Sequence, residues 1–174
     1  KVILLVSSHL ETGHYFNPHA QRIIEGKKNG AKLIVLDTRL SNTATHADHW
    51  LSPYPGSEPA IFLAVANWMI QEGRYDREFV RRWWNWKDYM EVVEGEENAS
   101  FERFEEVLAG LYDTYTFDFA AAESGIDAST LEQVAELIST AGTSLSTYNW
   151  RSAGSGNLGG WQVARTMMLL NALL

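Results

Sequence analysis

A chain of 174 residues with 45% hydrophobic content is long enough for one domain with a sizeable core, since a domain of this size buries roughly 70% of the surface its unfolded chain exposes. It has no cysteine, so these residues form no disulfide, hold no thiolate-bound iron–sulfur cluster and offer no cysteine nucleophile. The formal charge of −8 disfavours nucleic acid and anionic membrane surfaces as partners, because the net field repels both.

Val2–Val6 is a short, continuous apolar run rich in β-branched residues, the pattern of a central strand buried on both faces of a parallel sheet. Lys1 leads straight into it, without the basic, apolar and small-residue layout of a signal peptide. Asn17-Pro18 then supplies an N-cap with proline at the first helical position, and the helix runs to a stop at Gly30. Lys32–Leu36 repeats the buried-strand pattern, completing a β-α-β unit with the usual right-handed crossover.

Residues 40–52 show little periodicity, and Pro53-Tyr54-Pro55-Gly56 marks a turn ahead of a mostly buried helix over about 58–72. Asp76 caps a further helix to about Trp86, the acidic stretch 91–98 reads as a solvated turn or insertion, and another helix follows over 101–111. Ser129 and Glu132 form a capping-box pattern for a helix through Thr140. A strand over 143–148, a glycine-rich turn and a last helix end the sequence, residues 163–174 being still helical in pattern. That pattern and the abrupt start read as one segment of a longer subunit. There is no internal repeat and no run long enough for a transmembrane segment. The expectation is one α/β domain over 1–174, Rossmann-like, with an open, mostly parallel sheet, helices on both faces and a mainly helical insertion at about 87–127.

Three stretches carry candidate chemistry. Gly154-Ser155-Gly156-Asn157-Leu158-Gly159 is a literal G-x-G-x-x-G after a strand and before a helix, where Gly154 and Gly156 either contact a phosphate or pterin or allow close helix approach. Asp37, at a strand's carboxyl end, can accept a ribose hydroxyl or a guanine N–H, with Thr38, Arg39, Ser41 and Thr43 as donors beyond it. Glu58 stands at a helix start, where the dipole favours a carboxylate that can accept the N1–H and N2–H edge of guanine; Gly56 allows a tight approach, and plain helix capping is the competing reading. His9, His14 and His19, spaced by five, share no helix face and suggest no zinc set.

The run Gly30-Ala31-Lys32 to Asp37-Thr38-Arg39, then Ser41, Thr43 and Ala44, Ala47-Asp48, Trp50-Leu51 and Pro55-Gly56-Ser57-Glu58, resembles the bis-molybdopterin guanine dinucleotide oxidoreductases of the dimethyl sulfoxide reductase family. The comparable family stretch reads as a G-A-K strand, D-P/T-R, S-x-T-A, A-D-x-W-L and P-G-T-D before a long helix. The match is dense over residues 17–80; Glu58 departs from the usual aspartate, and Ser7-Ser8-His9 departs from a W-G-x-N turn while Asn17-Pro18 keeps its second part. The resemblance implies a catalytic subunit performing two-electron oxidation or reduction at molybdenum or tungsten held by molybdopterin guanine dinucleotide. It implies contacts from Ser7, Ser8, His9 and Asn17 to the pterin or its phosphates, and Trp150, with Arg151, near the pterin or substrate funnel. The metal's protein ligand and an iron–sulfur cluster are expected upstream, outside this chain. Expected partners are the remainder of the catalytic subunit and electron-transfer subunits, with the parent on the periplasmic or cytoplasmic side of a prokaryotic membrane. Two rival readings are an NAD-dependent dehydrogenase domain and a non-catalytic interaction module whose acidic middle and Trp68–Trp86 cluster form an interface.

Overall fold

Strand β1 (Val2–Val6) lies inside a four-stranded sheet, between β2 (Lys32–Leu36) and β4 (Leu145–Asn149), with β3 (His49–Leu51) beyond β2. Every pairing is parallel, and the register sets Val6 beside both Leu36 and Asn149, and Leu36 beside Leu51. The computed structural model describes residues 1–10, 17–95, 97, 99–150, 154 and 159–174.

Because successive strand residues face opposite sides, Leu5 of β1 joins Leu33 and Val35 of β2 beneath α1 (Asn17–Lys28). Val2, Leu4 and Val6 join Ile34 and Leu36 on the other face. There they meet α2 (Glu58–Gln71) and α8 (Gly160–Leu173), the fourteen-residue helices that complete the sandwich. This confirms the parallel α/β fold with helices on both faces.

Between α2 and β4 the chain builds α3 (Arg77–Trp83), α4 (Trp86–Val93), α5 (Phe101–Tyr112), α6 (Phe117–Ser124) and α7 (Ala128–Ser139). Their buried residues, among them Val80, Met90, Phe104, Ala120 and Leu131, share one apolar cluster with the sheet. The side chains of Asp76, Ser100 and Thr116 accept hydrogen bonds from the N–H groups of Phe79, Arg103 and Phe119, closing the starts of α3, α5 and α6.

Four expectations are corrected. The single helix over 76–86 is two, because Trp84 adopts extended backbone (ψ 149) and sends its indole N–H to the Ala172 carbonyl at 3.1 Å. The Ser129–Glu132 capping box does not form: Asp127 is the N-cap, its carbonyl accepting from the Thr130 and Leu131 N–H groups. The last strand starts at Leu145, since Gly142–Ser144 closes into a 3₁₀ turn. The aperiodic stretch 40–52 contains β3, and α6 also went unread.

Candidate functional site

Parallel register brings every strand's carboxyl end to one edge of the sheet. The ladder continues one residue past β1, β2 and β4: Ser7 N–H donates to Leu36 O (2.7 Å), Trp150 N–H to Val6 O (3.3 Å) and Asp37 N–H to Leu51 O (3.1 Å). Ser7, Asp37 and Trp150 therefore stand side by side. Helices α1, α2 and α8 begin after β1, β3 and β4, so their N-termini, the positive ends of their dipoles, lie on the same side.

Beyond β1 the chain turns sharply. Ser7 has φ 49, the one positive value at a non-glycine position among the described residues, a conformation costing roughly 1–2 kcal/mol. The turn carries Ser8 inward to 1% exposure, and its Oγ has no hydrogen-bond partner among the described residues. A buried hydroxyl left unmatched costs about 1–3 kcal/mol, so one at a sheet's carboxyl edge is suited to a ligand. His9 follows it, and the Leu10 N–H donates to Thr43 Oγ1 at 2.9 Å, tying this turn to the β2–β3 connection. Thr43 is itself buried and supports the loop. Asn17 opens α1; residues 11–16 lie outside the described residues.

At the end of β2, Asp37 is 8% exposed; its Oδ1 accepts from the Arg39 N–H (3.0 Å) and its carbonyl from the Trp50 indole (2.9 Å). Thr38 and Arg39 are exposed at the edge, whereas the Ser41 Oγ accepts from the Ala44 N–H and shapes the connection. After β3, Ser52 Oγ donates to Thr38 O at 3.3 Å, closing the β2 and β3 ends against each other.

The turn before α2 is built around Gly56, at φ 90. Ser57 sends both its N–H (3.1 Å) and its hydroxyl (2.7 Å) back to Tyr54 O and makes no side-chain cap. Glu58, 7% exposed, accepts the Gly56 N–H on Oε2 at 2.9 Å, so its carboxylate folds back over the turn. After β4, the Gly154 N–H reaches Trp150 O at 3.2 Å, and a Cβ on Gly154 would lie 2.6 Å from Asn149 Nδ2, so a side chain there requires the Asn149 amide to shift. Gly156 and Arg151 lie outside the described residues.

The edge thus unites Ser7, Ser8, Asp37, Glu58 and Trp150, while Ser41 and Thr43 hold the loops. Ser52 and Tyr54 were not singled out as site residues from the sequence, and Trp50 was read only as part of a motif. The Trp50-Leu51 and Pro55-Gly56 motifs flank Ser52 and Tyr54 and were the available signal.

A family model described as molybdopterin oxidoreductase matches residues 1–171. Acetylene hydratase from Pelobacter acetylenicus superimposes with a TM-score of 0.75 and 26% identity over 99% of this chain and 21% of that one. The arsenate respiratory reductase molybdopterin-containing subunit of Chrysiogenes arsenatis is 32% identical over 126 residues, 68% of this chain and 14% of the relative. Formate dehydrogenase H of Escherichia coli is 38% identical over 84 residues, 48% of this chain and 12% of the relative. The chain therefore spans less than a quarter of each of these proteins. With nearly every residue matched and the same fold beneath the match, the chain belongs to the molybdopterin oxidoreductase family.

Proposed function

We propose that these residues are the part of a molybdenum or tungsten oxidoreductase catalytic subunit that holds a molybdopterin guanine dinucleotide. One observation carries the reading: buried polar side chains and helix N-termini gather at a single sheet edge, where open α/β folds bind nucleotides. The residues fit the group. Ser8 has a buried hydroxyl without a partner among the described residues, which a pterin or phosphate oxygen or a pterin N–H satisfies. Asp37 offers its second carboxylate oxygen to a ribose hydroxyl. The starts of α1 and α8, with Arg39 and Thr38 at the rim, suit phosphate.

Glu58 is the acid proposed for the guanine. A carboxylate has about four acceptor positions; the Gly56 N–H takes one, leaving room for the N1–H and N2–H donors of the base. When bound, the cofactor supplies two-electron chemistry at its metal, and this chain's residues orient it and exclude water from its nucleotide end. The remainder of the catalytic subunit would complete the cage and carry the metal ligand and an iron–sulfur cluster, with electron-transfer subunits as further partners.

Glu58→Gln in the full-length protein tests this. The Gly56 N–H claims the amide oxygen, which turns the NH₂ toward the guanine donors. Hydrogen bonds to a charged group contribute about 1.5–3 kcal/mol, so retention should weaken by roughly one to two orders of magnitude. The measurement is metal and guanine nucleotide per folded protein. Unchanged occupancy with unchanged activity would reduce Glu58 to a capping residue.

A further inference from the structure

Tyr54 combines two properties that rarely coincide: it is 63% exposed, yet its backbone is fixed at both ends. Its N–H donates to the Ser124 carbonyl at 3.0 Å, and its own carbonyl receives the Ser57 N–H and hydroxyl. The ring lies close to Gly125. A Cβ built on Gly125 would lie 2.8 Å from Cζ, 2.9 Å from Cε2 and 3.0 Å from Oη. Three adjacent ring-end atoms at nearly equal distance place Gly125 over the face of the ring, not at its rim. One face is therefore packed on the α6–α7 connection, and the opposite face accounts for the exposure.

We infer that the outward face of Tyr54 is the stacking platform for the purine base of the bound nucleotide, an inference that rests on the guanine reading above. Tyr54 and Glu58 belong to one turn: Ser57 closes it on the Tyr54 carbonyl, and Glu58 folds back onto the Gly56 N–H in its middle. A base whose polar edge meets the Glu58 carboxylate lies beside the turn that Tyr54 opens, four residues earlier in the chain. Stacking needs a planar partner already held in place, so that little side-chain freedom is lost on binding. Packing against a residue without a Cβ supplies that, and leaves the hydroxyl at the rim. The division of labour follows: Glu58 reads the hydrogen-bonding edge and so selects guanine, whereas Tyr54 grips any purine and slows its escape.

The experiment follows the rate at which guanine nucleotide leaves the folded, full-length holoenzyme after transfer to nucleotide-free buffer, in wild type, Tyr54→Phe, Tyr54→Leu and Glu58→Gln. Melting curves verify that each variant is folded. Base–aromatic stacking lost on truncation corresponds to about a tenfold faster release for Tyr54→Leu, with Tyr54→Phe at the wild-type rate. Release from Tyr54→Leu at the wild-type rate overturns the stack. If Glu58→Gln then releases faster in the same assay, the guanine reading stands and only the platform falls; if Glu58→Gln is also unchanged, both fall.

Discussion

At the scale of single residues, Asp48 shows how one carboxylate organises a strand pair far from the candidate site. It accepts hydrogen bonds from the Lys27 and Lys32 ammonium groups and, at 2.9 Å, from the Leu33 N–H. Its own N–H donates to Leu33 O, so β2 and the approach to β3 are fixed on each other. Burial pushes the Asp48 carboxyl up, but the Lys27, Leu33 and Lys32 hydrogen bonds together outweigh it and hold it well below the usual carboxylate range. A group whose folded pKa is depressed binds fewer protons than in the unfolded chain. Its stabilisation is present above the ordinary carboxylate pKa, about 4, and is lost as pH falls through the depressed value. Asp48→Asn should therefore lower stability by about 1–2 kcal/mol at neutral pH, with the gap to wild type narrowing as the solution is acidified below the ordinary carboxylate pKa. Urea midpoints at neutral pH and near pH 2 check it; a gap that widens in acid refutes it. The role of Asp48 was hidden in the sequence, where it was one letter of a motif, because its partners come from α1 and β2.

Among the elements, those that read correctly from the sequence were the ones whose pattern is self-contained. The β1 and β2 runs are apolar throughout because both faces are covered, and Pro18 marks the start of α1. Strand β3 was illegible because it has three residues and only Leu51 is fully buried; Trp50, half out of the sheet, is recruited by the Asp37 carbonyl. Helix α6 was missed because it is eight residues long and presents only Ala120 and Ser124 as buried positions. The break between α3 and α4 depends on Ala172 in α8, which accepts the Trp84 indole. The candidate site divides likewise: Ser7, Asp37 and Trp150 followed from the carboxyl-end rule, but Tyr54 depends on Gly125, well down the chain. This yields an element-level test. Gly73 and Gly125 both have positive φ, at 62 and 72, but only Gly125 lies under a ring; nothing approaches within 4 Å of a Cβ on Gly73. Gly73→Ala should cost about 1–2 kcal/mol for the backbone conformation alone, and Gly125→Ala distinctly more. Equal losses in chemical denaturation would mean that the Tyr54 ring moves aside freely.

For the molecule as a whole, the sheet order β3-β2-β1-β4 joins the two ends of the sequence: Val2 pairs with Leu145 and Val6 with Asn149. Helices α5–α7 pack on α2 and α6 on α7 over shorter sequence distances, whereas the β1–β4 ladder must close a loop of more than 140 residues, which costs entropy before any pairing is gained. In refolding followed by pulsed hydrogen exchange, amides of α5 and α7 should gain protection before those of β4; simultaneous protection would show that the sheet nucleates folding. On the ribosome the same geometry sets a schedule. While residues 145–149 are still in the exit tunnel, β1 has β2 on one side and a bare edge on the other, the kind of surface that chaperones cover. Any molecule gripped jointly by Ser8, Asp37 and Trp150 can be seated only once residues 145–149 have left the tunnel and paired with β1.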